Sequence, residues 1–282
     1  MFLSVFEMFK IGIGPSSSHT MGPMVAAARF LELLRAAPVE AHSVRVSLHG
    51  SLAFTGVGHA TDRAVILGLA GFLPESYDQK AADAALEDIR ACCQLRPAGL
   101  GVLKFDPQAE LRFDYGPPLP GHANGLVISA CDASGAQVLQ ETYYSVGGGF
   151  VLTGAELAAG EAVAAPATTY PFKSAAQMLV MCREVGLSIA GLKRANELLF
   201  IDAAALDTGL ARIWAAMNAC IDRGLCTDGI LPGGLKVRRR ACAIHEALLR
   251  EAGLNRTAPH KINDWMSVYA MAVNEENAAG GQ

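Results

Sequence analysis

The sequence predicts an α/β (α+β) domain that is followed by an all-helical domain. Short strand-like runs alternate with apolar helical runs over residues 1–152, whereas from Pro171 onward the hydrophobic period is helical throughout. The chain of 282 residues also exceeds the usual length of one domain. We therefore expect domains over 1–152 and 170–282, joined over 153–169 by an Ala/Gly/Glu-rich segment that suits a linker or a loosely packed helix.

The first domain is predicted to mix helices and strands along its length. Val44, Val46 and Leu48 alternate with polar residues as in a half-buried strand, and an apolar, Ala-rich run with helical character follows Pro23. Predicted helices cover residues 24–34, the stretch after the Gly56–Asp62 turn to Leu69, and 80–94. Predicted strands cover residues 42–48, 101–104, 111–115, 126–129 and 138–144.

The second domain is predicted to be helical only. Periodic runs occupy residues 173–186, 189–200, 205–223, 236–253 and 262–275. The last of these runs carries apolar side chains on more than one face, namely Trp265, Met266, Val268, Tyr269 and Met271. We therefore expect this helix to pack against neighbours on several sides. The preceding helices do not supply all of those neighbours, and we expect this domain to be incomplete.

Composition excludes several classes of function. The net charge of −4 provides no basic surface for nucleic acid. The apolar N-terminus is interrupted by Glu7 and Lys10 and lacks a basic leader, and no apolar run reaches membrane-spanning length. We expect a cytoplasmic protein without a membrane partner. Its seven cysteines are odd in number and show no C-x-x-C spacing, which predicts free, mostly buried thiols.

The segment Gly12–Pro23 gathers hydroxyl and imidazole side chains at the start of a helix. Ser16, Ser17, Ser18 and Thr20, with free amides of a helix start, form a suitable pocket for a small carboxylate. His19 adds a side chain that exchanges a proton near neutral pH. The alternative interpretation is an ordinary helix cap. Because a cap needs only one hydroxyl, we predict binding or catalysis here.

A second turn, Gly56–Asp62, repeats the pattern of glycine, histidine and threonine before an apolar helix. His59 is our first candidate for a general base, with His19 as the second. Thr61 and Asp62 complete the candidate site, since Asp62 could orient an imidazole or cap the helix. A lone histidine is usually structural, but its glycine-rich setting favours a functional His59.

Six stretches, in order along the chain, resemble the iron–sulfur-dependent L-serine dehydratases. The motifs lie at residues 4–20, 48–52, 56–62, 143–150, 170–174 and 274–281, and include Gly-Pro-Ser-Ser-Ser-His-Thr and Asn-Glu-Glu-Asn-Ala-Ala-Gly-Gly. The resemblance implies a beta-type α/β domain, similar to a substrate-binding regulatory domain of some phosphoglycerate dehydrogenases. It also implies that an all-helical, alpha-type catalytic domain follows.

The resemblance further implies a carbon–nitrogen lyase that converts L-serine to pyruvate and ammonia as a homodimer. In that family an open iron of a 4Fe–4S cluster activates the hydroxyl, while a base removes the α-proton. The serine-rich loop would hold the substrate carboxylate. The match of His59 to the family motif favours His59 as the base.

One departure from the family is expected to matter. The family continues beyond its Asn-Ala-Ala-Gly-Gly stretch, and its cluster cysteines lie in that continuation, so none of the seven cysteines here is assigned as a ligand. We therefore expect this chain alone to lack the cluster and to be inactive. The alternative is a non-catalytic serine-binding or regulatory module. A threonine-specific dehydratase also stays open.

Overall fold

The computed structural model describes residues 2–160, 167–232, 235–254 and 262–281. It confirms the predicted fold class, because a mixed sheet with helices occupies the first part of the chain and helices occupy the rest. The chain divides into two compact units. The larger unit comprises Ile11–Gly160 and Ala219–Gln282, and the smaller comprises Met1–Lys10 and Glu161–Asn218.

The helices of the described residues are α1 Val5–Met8, α2 Gly22–Ala36, α3 Ser51–Thr55, α4 Thr61–Leu69, α5 Gln79–Cys92, α6 Pro107–Glu110, α7 Gly154–Ala159, α8 Ala175–Val185, α9 Ile189–Glu197, α10 Ala203–Cys226, α11 Ala241–Leu254 and α12 Ile262–Ala278. The strands are β1 Ser43–Gly50, β2 Gln94–Leu95, β3 Leu103–Lys104, β4 Leu111–Asp114, β5 Asn124–Cys131, β6 Gln137–Gly147 and β7 Phe150–Thr153.

The seven strands form one mixed sheet in the order β2-β3-β1-β5-β6-β7, with β4 also paired to β1. Strand β1 runs parallel to β3 and β4 and antiparallel to β5, while β5, β6 and β7 form an antiparallel meander. Burial alternates along β1, where Val44, Val46 and Leu48 are buried, as their spacing predicts.

The core of the larger unit lies between this sheet and helices α2, α4 and α5. Phe30, Met24 and Leu67 are almost completely buried in it. Gly68 lets α2 and α4 approach closely, because a Cβ there would lie 2.4 Å from the Met24 carbonyl oxygen. This packing fixes the start of both helices, and each start carries one of the two histidine turns.

The helical part of the larger unit has a smaller core and a buried charge cluster. Leu225, Val268 and Ala272 form part of the apolar core. Glu276 on α12 binds Arg239 at 2.7 Å and Arg223 at 3.1 Å. Glu275 accepts hydrogen bonds from the backbone amides of residues 240 and 241, at the start of α11. Carboxylates therefore tie the end of α12 to the neighbouring helices.

The smaller unit is held largely by polar contacts. Buried Glu197 accepts hydrogen bonds from the Ser4 hydroxyl at 2.9 Å and the Val5 amide at 2.6 Å. Fully buried Asn196 bonds to both the amide and the carbonyl of Tyr170, each at 2.9 Å. A cavity of about 1250 Å³ with mainly apolar walls lies within this unit.

The structure confirms the predicted helices and strands and adds two strands that the sequence analysis missed. Strand β2 has two residues, and β7 follows a glycine turn, so neither shows a clear period. The predicted linker over 153–169 includes α7, and residues 161–166 of it lie outside the described residues. The predicted boundaries at 152 and 170 stay predictions.

None of the described helices has both the length and the apolar composition of a membrane-spanning segment. Of the described residues, only α8 and α9 counted together reach that length and composition, and the two helices meet at a bend of 93°.

Candidate active site

The serine-rich loop forms a capped π-helical turn that leads directly into α2. The turn spans Ser17–Met21, and the hydroxyl of Ser16 accepts a hydrogen bond from the His19 amide at 3.1 Å. The Thr20 hydroxyl in turn accepts one from the Ser16 amide at 3.2 Å. Ser17 is exposed, and Ser16 and Ser18 are half-buried. Among the described residues the Ser17 and Ser18 amides of this turn have no hydrogen-bond partner, so they are available as donors to an anion.

The second histidine turn fixes the tautomer of His59. Nδ1 of His59 lies 2.9 Å from the Thr55 carbonyl oxygen, at the end of α3. Because a carbonyl oxygen only accepts, Nδ1 carries the proton and Nε2 carries the free lone pair. Within the described residues nothing bonds to that Nε2. His59 is half-buried, so its lone pair is available to a proton donor that reaches the turn.

The structure brings the two predicted histidines together. Their ring centroids lie 4.8 Å apart with the planes tilted by 35°. The His19 ring lies between two hydroxyl groups, with Nδ1 2.8 Å from Ser18 Oγ and Nε2 2.9 Å from Ser51 Oγ. Burial, and then the charge of His59, lower the pKa of His19 below 6.5. His19 is therefore neutral near neutral pH, with both ring nitrogens engaged.

Ser51 is a site residue that sequence reasoning missed. It lies at the start of α3 after Gly50, whose φ of 55° is a conformation that favours glycine. The available signal was the His-Gly-Ser stretch, residues 49–51, which contains a glycine at a strand end. Only the fold shows that this hydroxyl meets His19, because 32 residues separate the two.

Thr20 and Thr61 lie inside the site rather than on its surface. The Thr20 hydroxyl donates to the His59 carbonyl oxygen at 2.9 Å, and the Thr61 hydroxyl donates to the His19 carbonyl oxygen at 2.6 Å. Thr20 is 3% exposed and Thr61 is fully buried. Their predicted contact with substrate stays a prediction, and these bonds give both hydroxyls another partner.

Asp62 lies apart from the histidine pair. It lines a separate cavity of about 660 Å³ together with Ile66, Arg90 and Asp106. No hydrogen bond joins it to either imidazole among the described residues. The structure therefore gives no support for an orienting role of Asp62, and its predicted substrate contact stays a prediction.

Two further segments contact the serine-rich loop and the start of α2. Ser145 on β6 is fully buried, and its hydroxyl has no hydrogen-bond partner among the described residues. A Cβ at Gly22 would lie 1.9 Å from that hydroxyl oxygen, so α2 begins with glycine at the point of contact. At the other side, Asn277 Nδ2 donates to the Pro15 carbonyl at 3.2 Å. The Gly14 amide donates to the Gly281 carbonyl at 3.1 Å.

The described residues do not fit an iron–sulfur cluster or another bound metal. No three His, Cys, Asp or Glu side chains in the described part of the chain lie together as ligands. All seven cysteines are described, and all are free thiols, as predicted. The prediction that most of them are buried is wrong, because only Cys131 and Cys182 are buried. Burial raises the pKa of the Cys220 thiol, which disfavours the thiolate that binds iron. The cluster implied by the resemblance therefore has no ligand set among the described residues.

Comparisons with known proteins identify the family of this chain. A family model described as "Serine dehydratase beta chain" matches residues 4–156, and one described as "Serine dehydratase alpha chain" matches residues 173–282. Proteins named L-serine dehydratase from Streptomyces coelicolor and Haemophilus influenzae are 45% and 40% identical over 100% and 99% of this chain. L-serine dehydratase 1 of Escherichia coli is 42% identical over 99%. The chain spans 62% of the length of each of these relatives.

Proposed function

The chain belongs to the serine dehydratase family, and from this premise we propose that it takes part in the dehydration of L-serine to pyruvate and ammonia. The observation that carries the proposal is the His59 ring, whose tautomer leaves Nε2 free beside a serine-rich helix start. The choice of L-serine as the substrate rests on the relatives named above, since each of them is named for L-serine.

The serine-rich loop is proposed to bind the substrate carboxylate. Ser16, Ser17 and Ser18 carry hydroxyl groups at the start of the π-helix, where the Ser17 and Ser18 amides have no partner among the described residues. The partial positive charge of the helix start adds to the attraction for a carboxylate. A bound carboxylate here would hold the amino acid next to the two imidazoles.

His59 is proposed to remove the α-proton of the bound serine. Its Nε2 is the unprotonated nitrogen and has no partner in the described part of the chain. When Nε2 takes a proton, the ring becomes positively charged 4.8 Å from His19. Because the pKa of His19 is lowered, His19 stays neutral and does not repel that new charge. The sequence left the choice of base open, and this difference favours His59.

Removal of the α-proton and of the hydroxyl gives an aminoacrylate, which becomes an imine and reacts with water to release ammonia and pyruvate. In this proposal His59 is the proton acceptor and the serine-rich loop is the carboxylate site. They do not fit an iron–sulfur cluster, so we derive no step through one and assign no residue to the leaving hydroxyl. This chain alone is expected to bind L-serine without producing pyruvate.

A chimera tests the proposal. It joins this chain to the part of the Streptomyces coelicolor relative that the chain does not match, and is assayed anaerobically with iron and sulfide for pyruvate from L-serine or L-threonine. We expect turnover of L-serine, and a loss of roughly 10²–10⁴-fold in kcat for His59→Asn. Ser134→Ala, which removes an exposed hydroxyl in the turn between β5 and β6, is the matched control. An active chimera in which His59→Asn keeps full turnover would contradict the assignment of the base.

A non-catalytic serine-binding module is the second candidate, and the missing ligand set among the described residues favours it. Calorimetry of this chain with L-serine, and with L-alanine as a control, measures the binding that both candidates require. A chimera that binds L-serine but never forms pyruvate would favour the module. The predicted homodimer and the cytoplasmic location stay predictions, and light scattering after size exclusion checks the dimer.

A further inference from the structure

Each of the two histidine turns contains a threonine that bonds to the backbone of the other turn. We infer that Thr20 and Thr61 are positioning residues that hold the rings of His19 and His59 side by side; as a role in catalysis this rests on the proposed function. We call these two threonines the threonine clasp.

The geometry of the clasp is reciprocal. Thr20 donates to the carbonyl of His59 at 2.9 Å, and Thr61 donates to the carbonyl of His19 at 2.6 Å. Both acceptors belong to the histidines themselves, so each bond fixes the backbone from which a ring projects. Together they join two turns that lie about 40 residues apart in sequence, as the separations of 39 and 42 residues show.

The environment makes these bonds selective for a hydroxyl group. Thr20 is 3% exposed and Thr61 is fully buried, so water does not replace a lost donor easily. Valine has nearly the same shape as threonine but would leave each histidine carbonyl without its donor. Serine keeps the donor and loses only a methyl group. The Val and Ser variants therefore separate the hydrogen bond from the packing.

The titration of His19 reports the spacing of the two rings. Its neighbours at hydrogen-bond distance are the uncharged hydroxyls of Ser18 and Ser51. Among the described residues, His59 is the titratable group whose charge lowers the pKa of His19, after the larger effect of burial. If the rings separate, both effects weaken, and the pKa of His19 rises toward 6.5.

The experiment uses this chain labelled with ¹³C at histidine Cε1, followed by NMR from about pH 5 to 8. His19→Gln and His59→Gln assign the two signals. We expect His59→Gln to raise the pKa of His19 in the wild-type background. In Thr20→Val and Thr61→Val the pKa of His19 should already be raised, and His59→Gln should add a smaller further shift. Thr20→Ser and Thr61→Ser should titrate as the wild type does.

Two results would overturn the inference. Folded valine variants that keep the wild-type titration of His19 and its full response to His59→Gln would show that the clasp does not set the spacing. Serine variants that titrate like the valine variants would show that packing, not the hydroxyl, matters. If the valine variants do not fold, the serine variants alone decide, because a changed pKa of His19 in them contradicts the inference. The titration needs no turnover, so an inactive chimera with an intact clasp would reject the proposed function alone.

Discussion

The two compact units bury their side chains in different ways. The larger unit encloses a continuous apolar core around Phe30, Leu48 and Leu67. In the described part of the smaller unit the buried apolar side chains are Cys182, Leu192 and Leu206, and buried Asn196 and Glu197 make its long-range bonds. Large apolar side chains of α8 to α10, such as those of Leu179 and Trp214, are exposed. An apolar helical pattern therefore predicts the helix but not what covers it.

The site belongs to the unit with the continuous core. Helices α2 and α4 pack against one sheet, and both histidine turns precede them directly. A packed core holds side chains in one arrangement, whereas polar contacts at a partly exposed helix open more readily. The precise spacing of His19 and His59 follows from this difference between the units.

The largest effect is expected from Phe30→Ala in the core of the larger unit. Removing this fully buried ring leaves a cavity, and we expect the free energy of unfolding to fall by about 3–5 kcal/mol. Urea denaturation followed by far-UV circular dichroism measures it. The matched variant Trp214→Ala removes a ring that is 61% exposed and should change the value by no more than about 0.5 kcal/mol. An equal fall in the free energy of unfolding in the two variants would contradict the difference in packing between the two units.

An intermediate effect is expected from Asn196→Ala in the smaller unit. The variant loses two hydrogen bonds to half-buried Tyr170 and leaves the amide and the carbonyl of that residue without this partner, at a cost of about 1–3 kcal/mol. Hydrogen exchange at the Tyr170 amide measures the local loss directly. Asn218→Ala, at a half-buried position of the same unit, is the control and should leave that exchange rate unchanged. Unchanged protection of Tyr170 in Asn196→Ala would show that other contacts hold the segment.

The smallest effect is expected from the pH dependence that His19 gives to the larger unit. Since the folded pKa of His19 is lowered, the unfolded chain binds its proton first as the pH falls through 6.5. The contribution of His19 to stability is thus complete above 6.5 and is lost progressively as the pH falls to the folded pKa.

Urea midpoints at a series of pH values test this sign. In His19→Gln we expect a shallower fall in stability on acidification than in the wild type. Ser17→Ala, in the same loop but without a titratable group, should keep the wild-type slope. A slope in His19→Gln as steep as that of the wild type would assign the acid sensitivity to other groups.

The sequence was sufficient for most of the secondary structure. Alternation in β1 and helical periods in α2 and α4 are local patterns, and the structure confirms all three. Strand β7 was not found, since it has only four residues and directly follows three glycines, so it shows no clear period. The site was predicted in part, because glycine, histidine and threonine recur in both turns.

By itself the sequence determined the family, the longer helices and strands, and the two histidine turns, because these depend on residues that are close along the chain. Only the tertiary structure decided that Ser51 reaches His19, that Asp62 lies in another cavity, and that each threonine bonds to the opposite turn. Those contacts join residues separated by tens of positions, and helix packing on the sheet sets their distances. The tautomer of His59, by contrast, is fixed by the carbonyl of Thr55, four residues earlier in the chain, and so depends on local structure.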